Sequence, residues 1–181
     1  MEAFYFHNYL ATEYYFMPVN NTKFEYQNLQ MENYISPIIQ AAELLKLYQT
    51  DNLVIVDAGT DKKNYDESHL DGALHIDLNT QLADIKEDAS IGGRHPLPGI
   101  EQFAETLASL GISAKSHVVI YDDKNGSNAA ARFWWMLKSI GHEKVQVLNG
   151  GFKEAKKAGF PVNATIVNPT AAEPYAIEKR N

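Results

Sequence analysis

The stretch from Val118 to Leu137, VVIYDDKNGSNAAARFWWML, constrains this chain more than any other, because it reads as a buried strand, a short polar loop and a helix. Val118, Val119, Ile120 and Tyr121 form a β-branched and aromatic run, Asp122 to Asn128 is polar around Gly126, and Ala129 to Leu137 returns to helix formers around Trp134 and Trp135. A loop that leads into a helix presents unpaired backbone N–H groups to whatever lies above it. That geometry suits an anion, or a nucleophile held as one. The loop opens with two carboxylates, Asp122 and Asp123, and carries no cysteine.

A chain of 181 residues fits one domain with extensions. Its net charge of −7 argues against nucleic acid and against an anionic membrane surface as partners. With no cysteine, the chain has no disulfide and no thiolate metal site. Nothing in it implies a metal or an organic cofactor, and no stretch approaches the ~20 apolar residues that cross a bilayer. Residues 1–34 cluster aromatics at Phe4, Tyr5, Phe6, Tyr14, Tyr15 and Phe16. They lack the basic start, apolar run and cleavage site of a signal peptide, so a cytoplasmic location is expected. This extension reads as an arm that packs on the domain or on a partner. Alternatively it is partly disordered or lies upstream of the natural start, with Met17 or Met31 as later candidates.

From residue 35 the chain alternates between two periodicities. Ser36 reads as a helix cap with Pro37 at the first helical position, and Ile38, Ala41, Ala42, Leu45 and Tyr48 then share one face. Leu53 to Val56 is a short apolar strand ending at Asp57, Tyr65 to Leu70 a helical turn, and Ala73 to Ile76 a strand ending at Asp77. Ile100, Phe103, Ala104, Leu107 and Leu110 mark a helix closed by Gly111. Val145 to Leu148 is a strand ending at Asn149, and Gly150-Gly151 opens a helix stopped at Gly159. Strands alternating with helices predict an α/β domain over residues 35–163, with a mostly parallel central sheet and helices on both faces. Residues 164–181, with Pro169 and Pro174, read as an extended linker.

Ligands of open parallel sheets sit beyond the carboxyl ends of the strands, which here carry Asp57, Asp77, Asp122 and Asn149. Any one of these alone is as well explained as a cap of the next turn. Together they would repel a bound anion. A second constellation, GGRHPLPG, lies in the long loop from Leu78 to Pro98. Arg94 offers a planar cation for an oxygen pair and His95 an imidazole that titrates near neutral pH, unless both are simply solvated. Trp134, Trp135 and Met136 read as core and domain-interface packing. LNGG at Leu148 lacks the spacing of a dinucleotide fingerprint. The triplets NNT at Asn20 and NAT at Asn163 are read as chance matches to the glycosylation pattern.

The run VVIYDD…AARFWWMLKSIGHEKVQVLNGGF, with DAG at Asp57, YDESHLDGALHIDL from Tyr65 and GGRHPLPGIEQFAETLASLGI from Gly92, resembles the amino-terminal domain of the tandem-domain rhodaneses, the thiosulfate and 3-mercaptopyruvate sulfurtransferases. The resemblance spans about Ile35 to Asn163. It implies a rhodanese-like fold in which Asp122 stands where the second domain of the family carries its sulfur-bearing cysteine. It also implies that His95 faces the active site between the domains, with Asn79 where some members have an aspartate. His69 falls in the family's H-x-x-G-A turn, a structural position, and Arg132 is expected to bridge its helix to a strand-end carboxylate or to reach an interdomain contact. The function so implied is that of a non-catalytic domain whose partner is a second, catalytic rhodanese domain acting on a small anionic sulfur donor. The alternative is a stand-alone module that kept the fold, lost the chemistry and serves in interaction or regulation. A cysteine-dependent phosphatase is excluded by the missing nucleophile.

Overall fold

The structure, a computed structural model, describes residues 35–173 together with Tyr175. The readings of the aromatic arm and of Asn20 therefore lie outside the described residues. Five parallel strands form the central sheet: β1 (Ile38–Ile39), β2 (Leu53–Asp57), β4 (Leu74–His75), β5 (His117–Tyr121) and β6 (Val145–Leu148), in the order β1-β6-β5-β2-β4. Strand β5 lies at the centre, paired with β2 from Leu53↔His117 to Asp57↔Tyr121. A parallel strand covered on both faces is apolar at every position rather than at alternate ones, which accounts for the unbroken run Val118 to Tyr121.

The side-chain parity of these strands divides the interior into two cores. Val56, Val118 and Ile120 point to one face, where helix α3 (Ile100–Ser109) contributes Phe103 and Leu107 and helix α4 (Ala129–Ser139) contributes Phe133, Met136 and Leu137. Ile55, Val119 and Tyr121 point to the other, covered by Leu44 of helix α1 (Ala41–Leu47) and Ala155 of helix α5 (Gly151–Lys157). Helices thus cover both faces of a parallel sheet, as the alternation of periods predicts. Among the described residues no helix is long and apolar enough to cross a membrane.

Two local expectations are corrected. Ser36 and Pro37 do not open a helix, because the Pro37 carbonyl accepts from Val147 N–H (2.8 Å) and the Ile39 carbonyl from Asn149 N–H (2.9 Å), which holds this segment extended at the sheet edge. An edge strand tolerates a proline that lacks a donor. Helix α1 starts instead after Gln40, whose N–H donates to the Glu43 carboxylate at 2.8 Å. The turn expected over Tyr65 to Leu70 is a helix, α2 (Lys62–Glu67), capped by Asp61 and followed by strand β3 (His69–Leu70). That strand pairs antiparallel with β7 (Val162–Asn163), a two-residue ladder too short to show any period in the sequence.

The segment read as a linker is held to the domain at several points. Val167 packs on the α3/α4 core and Ala172 N–H donates to the Ala108 carbonyl at 3.0 Å. Tyr175 is buried, its hydroxyl donating to His142 Nδ1 at 2.8 Å while His142 Nε2–H donates to the Ser116 carbonyl at 3.1 Å. Gly111 permits this path. With φ +67° it is left-handed, and a Cβ there would stand 2.9 Å from the Thr170 carbonyl oxygen.

Candidate functional site

At the carboxyl end of β5 the chain curls over its own side chain. Asp122 is 4% exposed, and its carboxylate accepts four backbone N–H groups: Lys124 (2.8 Å) and Gly126 (2.7 Å) on Oδ1, and Asn128 (3.2 Å) and Ala130 (3.1 Å) on Oδ2. The curl depends on left-handed conformations at Asn125 and Gly126, and a Cβ on Gly126 would fall 2.4 Å from Val147 Cγ1. Convergent amides at the start of a helix make an anion seat. Here the chain supplies the anion itself.

Asp122 and Asp57 both line a cavity of about 480 Å³, with Asp61, Glu67 and Asp123 as further carboxylates and Lys153 as a cation. Asp57 is 8% exposed; burial holds its carboxyl above the usual carboxylate range, opposed by bonds from Gly59 N–H (2.7 Å) and Tyr121. Burial beside Asp57 raises the Tyr121 hydroxyl in turn, and that hydroxyl accepts from Leu70 N–H at 3.2 Å. Asp123 sits at the rim, accepting from Thr60 Oγ1 at 2.9 Å. An anionic ligand entering this cavity would meet a surplus of negative charge. Of the four strand-end residues, Asp57 and Asp122 line this cavity. Asp77 and Asn149 do not line this cavity: Asp77 accepts from Asn79 N–H (2.9 Å) and Thr80 N–H (2.8 Å), which outweigh burial and lower its pKa, while Asn149 donates to Gln40 at 3.0 Å.

The GGRHPLPG loop is open to solvent. His95 Nε2–H donates to Asn79 Oδ1 at 3.1 Å. Arg94 beside it is exposed. The histidine and the residue at the aspartate position of some family members are thus brought together, with an amide oxygen as the acceptor. Arg132, in contrast, does not bridge to a strand-end carboxylate. Its Nε donates to the Leu82 carbonyl (3.0 Å) and its Nη2 to the carbonyls of His95 (3.0 Å) and Pro96 (3.1 Å). It stands in the first turn of α4, and burial lowers its pKa.

His69 is fully buried, its ring nitrogens facing the carbonyls of Tyr65 (2.6 Å) and Thr165 (3.1 Å) and its ring stacked on Tyr65 at 4.0 Å. Trp134 packs on the core and donates to the Val145 carbonyl at 3.1 Å, whereas Trp135 is 51% exposed. Sequence reasoning missed the polar group of Tyr121, Tyr65 and His75 gathered around Asp57, in which His75 Nε2 is buried with no hydrogen-bond partner among the described residues. One signal was available: Asp57 and Tyr121 end adjacent parallel strands in register, so their side chains share a face.

Comparison with known proteins agrees with this geometry. Residues 40–158 match the model of the rhodanese-like domain. Over 121 residues, or 65% of this chain, the sequence is 40% identical to thiosulfate/3-mercaptopyruvate sulfurtransferase 2 of Arabidopsis thaliana, covering 34% of that protein. It is 35% identical over 113 residues, 62% of this chain, to human 3-mercaptopyruvate sulfurtransferase, covering 36% of it. The chain thus spans about a third of the length of these curated relatives. Among solved structures, a 3-mercaptopyruvate sulfurtransferase from Escherichia coli superposes with a TM-score of 0.66 at 26% identity, over 80% of this chain and 58% of that one. With the parallel sheet, the strand–loop–helix at Asp122 and a family match across most of the described residues, this chain belongs to the rhodanese-like domain family.

Proposed function

We propose that this domain is the non-catalytic amino-terminal half of a cytoplasmic tandem-domain sulfurtransferase and forms one wall of an interdomain active site. The observation that carries the reading is the seat of Asp122: the anion site of the strand–loop–helix is filled by a carboxylate from within. A carboxylate cannot carry a sulfane sulfur, and the chain holds no cysteine that could. In the proposed whole protein, a cysteine thiolate of the second domain attacks the outer sulfur of thiosulfate, or the sulfur of 3-mercaptopyruvate. It keeps that sulfur as a persulfide and releases sulfite or pyruvate; cyanide or a thiol then removes it. A thiolate held at a helix N-terminus is stabilised in the form that attacks.

The part proposed for the present domain follows from its open loop. Arg94 is an exposed planar cation suited to paired oxygens of the donor, and His95 beside it, bonded to Asn79, is a side chain of the kind that can bind or shuttle a proton. The acidic cavity at Asp57 and Asp122 would keep the same anion off this domain's own strand ends.

Cyanide-dependent thiocyanate formation separates the arms of this proposal. The purified chain is expected to form none, and a turnover above the reagent blank would overturn its non-catalytic assignment. Detection of the native polypeptide in its source cells, with an antibody raised against this chain, should give a band near twice 20.3 kDa. A single band at 20.3 kDa would replace the enzyme by the stand-alone module.

A further inference from the structure

The long loop from Leu78 to Pro98 has no regular element, and its middle is exposed: Ile85 is 49% and Ile91 61% accessible. Yet the His95 backbone is held by a side chain that no reading of the loop would suggest. Arg132 reaches both ends of the loop at once, Leu82 on the way out and His95 and Pro96 on the way back, with all three carbonyls on one guanidinium. Asp84 N–H closes the same neck by donating to the Pro96 carbonyl at 3.1 Å. On the other side, Arg132 is rooted two residues after Ala130, whose N–H is one of the four donors to Asp122. The start of α4 therefore carries two attachments, a backbone one to the sealed carboxylate and a side-chain one to the open loop.

We propose that Arg132 is the positioning residue for His95: it clamps the neck of the 82–96 loop and so sets the backbone from which the imidazole reaches Asn79. The guanidinium suits this work because its donors spread in a rigid plane and so span three carbonyls, whereas a lysine ammonium is a single point. Once the His95 carbonyl is fixed, the ring lies within reach of Asn79, with Nε2–H donating to its Oδ1 at 3.1 Å. The clamp itself stands on these contacts alone. Its consequence for donor handling rests on the function proposed above.

The test uses this chain labelled with 15N in its histidines and backbone. In the native protein His95 should show the Nε2–H tautomer. In Arg132→Met it should shift to the averaged signals of a free, exposed imidazole, and proteolysis between residues 85 and 94 should quicken by about tenfold as local opening becomes cheaper. The amide signals of Lys124, Gly126, Asn128 and Ala130 report in the same spectrum that the Asp122 seat is intact. Should Arg132→Met fail to fold, Arg132→Lys keeps the charge, can serve only part of the clamp and should move His95 partway. Native-like His95 signals in either folded variant would overturn the proposal. These readouts need no sulfur transfer, so a clamp that passes them survives even if the full-length protein turns out to move no sulfur.

Discussion

The Asp122 loop and the His95 loop each follow a strand of the parallel sheet and each carry ionisable side chains, but they are built in opposite senses. In the first, the backbone turns its amides inward on a carboxylate that is 4% exposed, and the loop spends its hydrogen-bonding capacity on itself. In the second, the backbone is gripped from outside by Arg132, while the Arg94 side chain is exposed and the half-buried His95 ring reaches Asn79. A loop that has satisfied its own donors has little left for a ligand. A loop whose main chain is clamped from outside can still present its side chains. The first loop is thus a closed architectural element, and under the function proposed above ligand contact would fall to the second.

The contrast breaks most sharply at Asp122. Asp122→Ala would strand four amides, two of them, Gly126 and Ala130, buried, and should cost about 3 kcal/mol or more, read as a lower urea midpoint with an unchanged slope. Asp122→Asn keeps one acceptor oxygen but turns an amide donor toward backbone donors, and should cost roughly 1–2 kcal/mol. A seat that tolerated Asp122→Ala within about 0.5 kcal/mol would not be the architectural element argued for here.

A smaller effect is expected where the tail meets the domain. Burial lowers the His142 pKa, opposed in part by its bond to the Ser116 carbonyl, so the folded state prefers the neutral ring. Below the ordinary histidine value of about 6.5 the unfolded chain binds the proton first, and stability should fall as pH drops through that value toward the lowered folded pKa. Replacing His142 with Gln should flatten the acid limb of a plot of unfolding free energy against pH. Tyr175→Phe, which removes the hydroxyl bonded to Nδ1, should cost about 1 kcal/mol. A wild-type acid limb in the His142 variant would assign the pH dependence to other groups.

The smallest stability change, and the one that sharpens the comparison most, is expected at Arg94. Exposed side chains away from special features contribute within about 0.5 kcal/mol, so Arg94→Ala should leave thermal unfolding unmoved. If the domain belongs to the tandem-domain sulfurtransferase proposed above, the same change in that enzyme should raise KM for the anionic donor. Unaltered turnover at low and saturating donor would remove Arg94 from the site.

Much of the fold was legible in the chain, and the misreadings have one cause. Leu53 to Val56, Val118 to Tyr121 and Val145 to Leu148 announced themselves because a strand buried on both faces must be apolar throughout. Helix α3 showed its stripe through Phe103 and Leu107, both buried. Ser36 and Pro37 misled because a good local start signal was overridden by pairing with β6, far along the chain. The attachments of the extended linker were equally illegible: nothing near Tyr175 in sequence indicates that His142 waits for its hydroxyl. The pairing of His95 with Asn79 was reachable through family resemblance, whereas the partners of Arg132 were not, since backbone carbonyls leave no mark in a sequence.

By itself the sequence determined the order and type of the principal elements, the acids at the strand ends and the lack of any thiol, because these depend on local periodicity or on which atoms are present at all. Only the tertiary structure decided that Asp122 is sealed by four amides, that Arg132 holds a loop instead of a carboxylate, and that the tail is fastened through Tyr175. Apart from the Asp122 seat, which closes within its own loop, each of these contacts joins groups dozens of residues apart. Such partners are chosen by the packing of the sheet and its helices, and that packing exists only once the whole domain has folded.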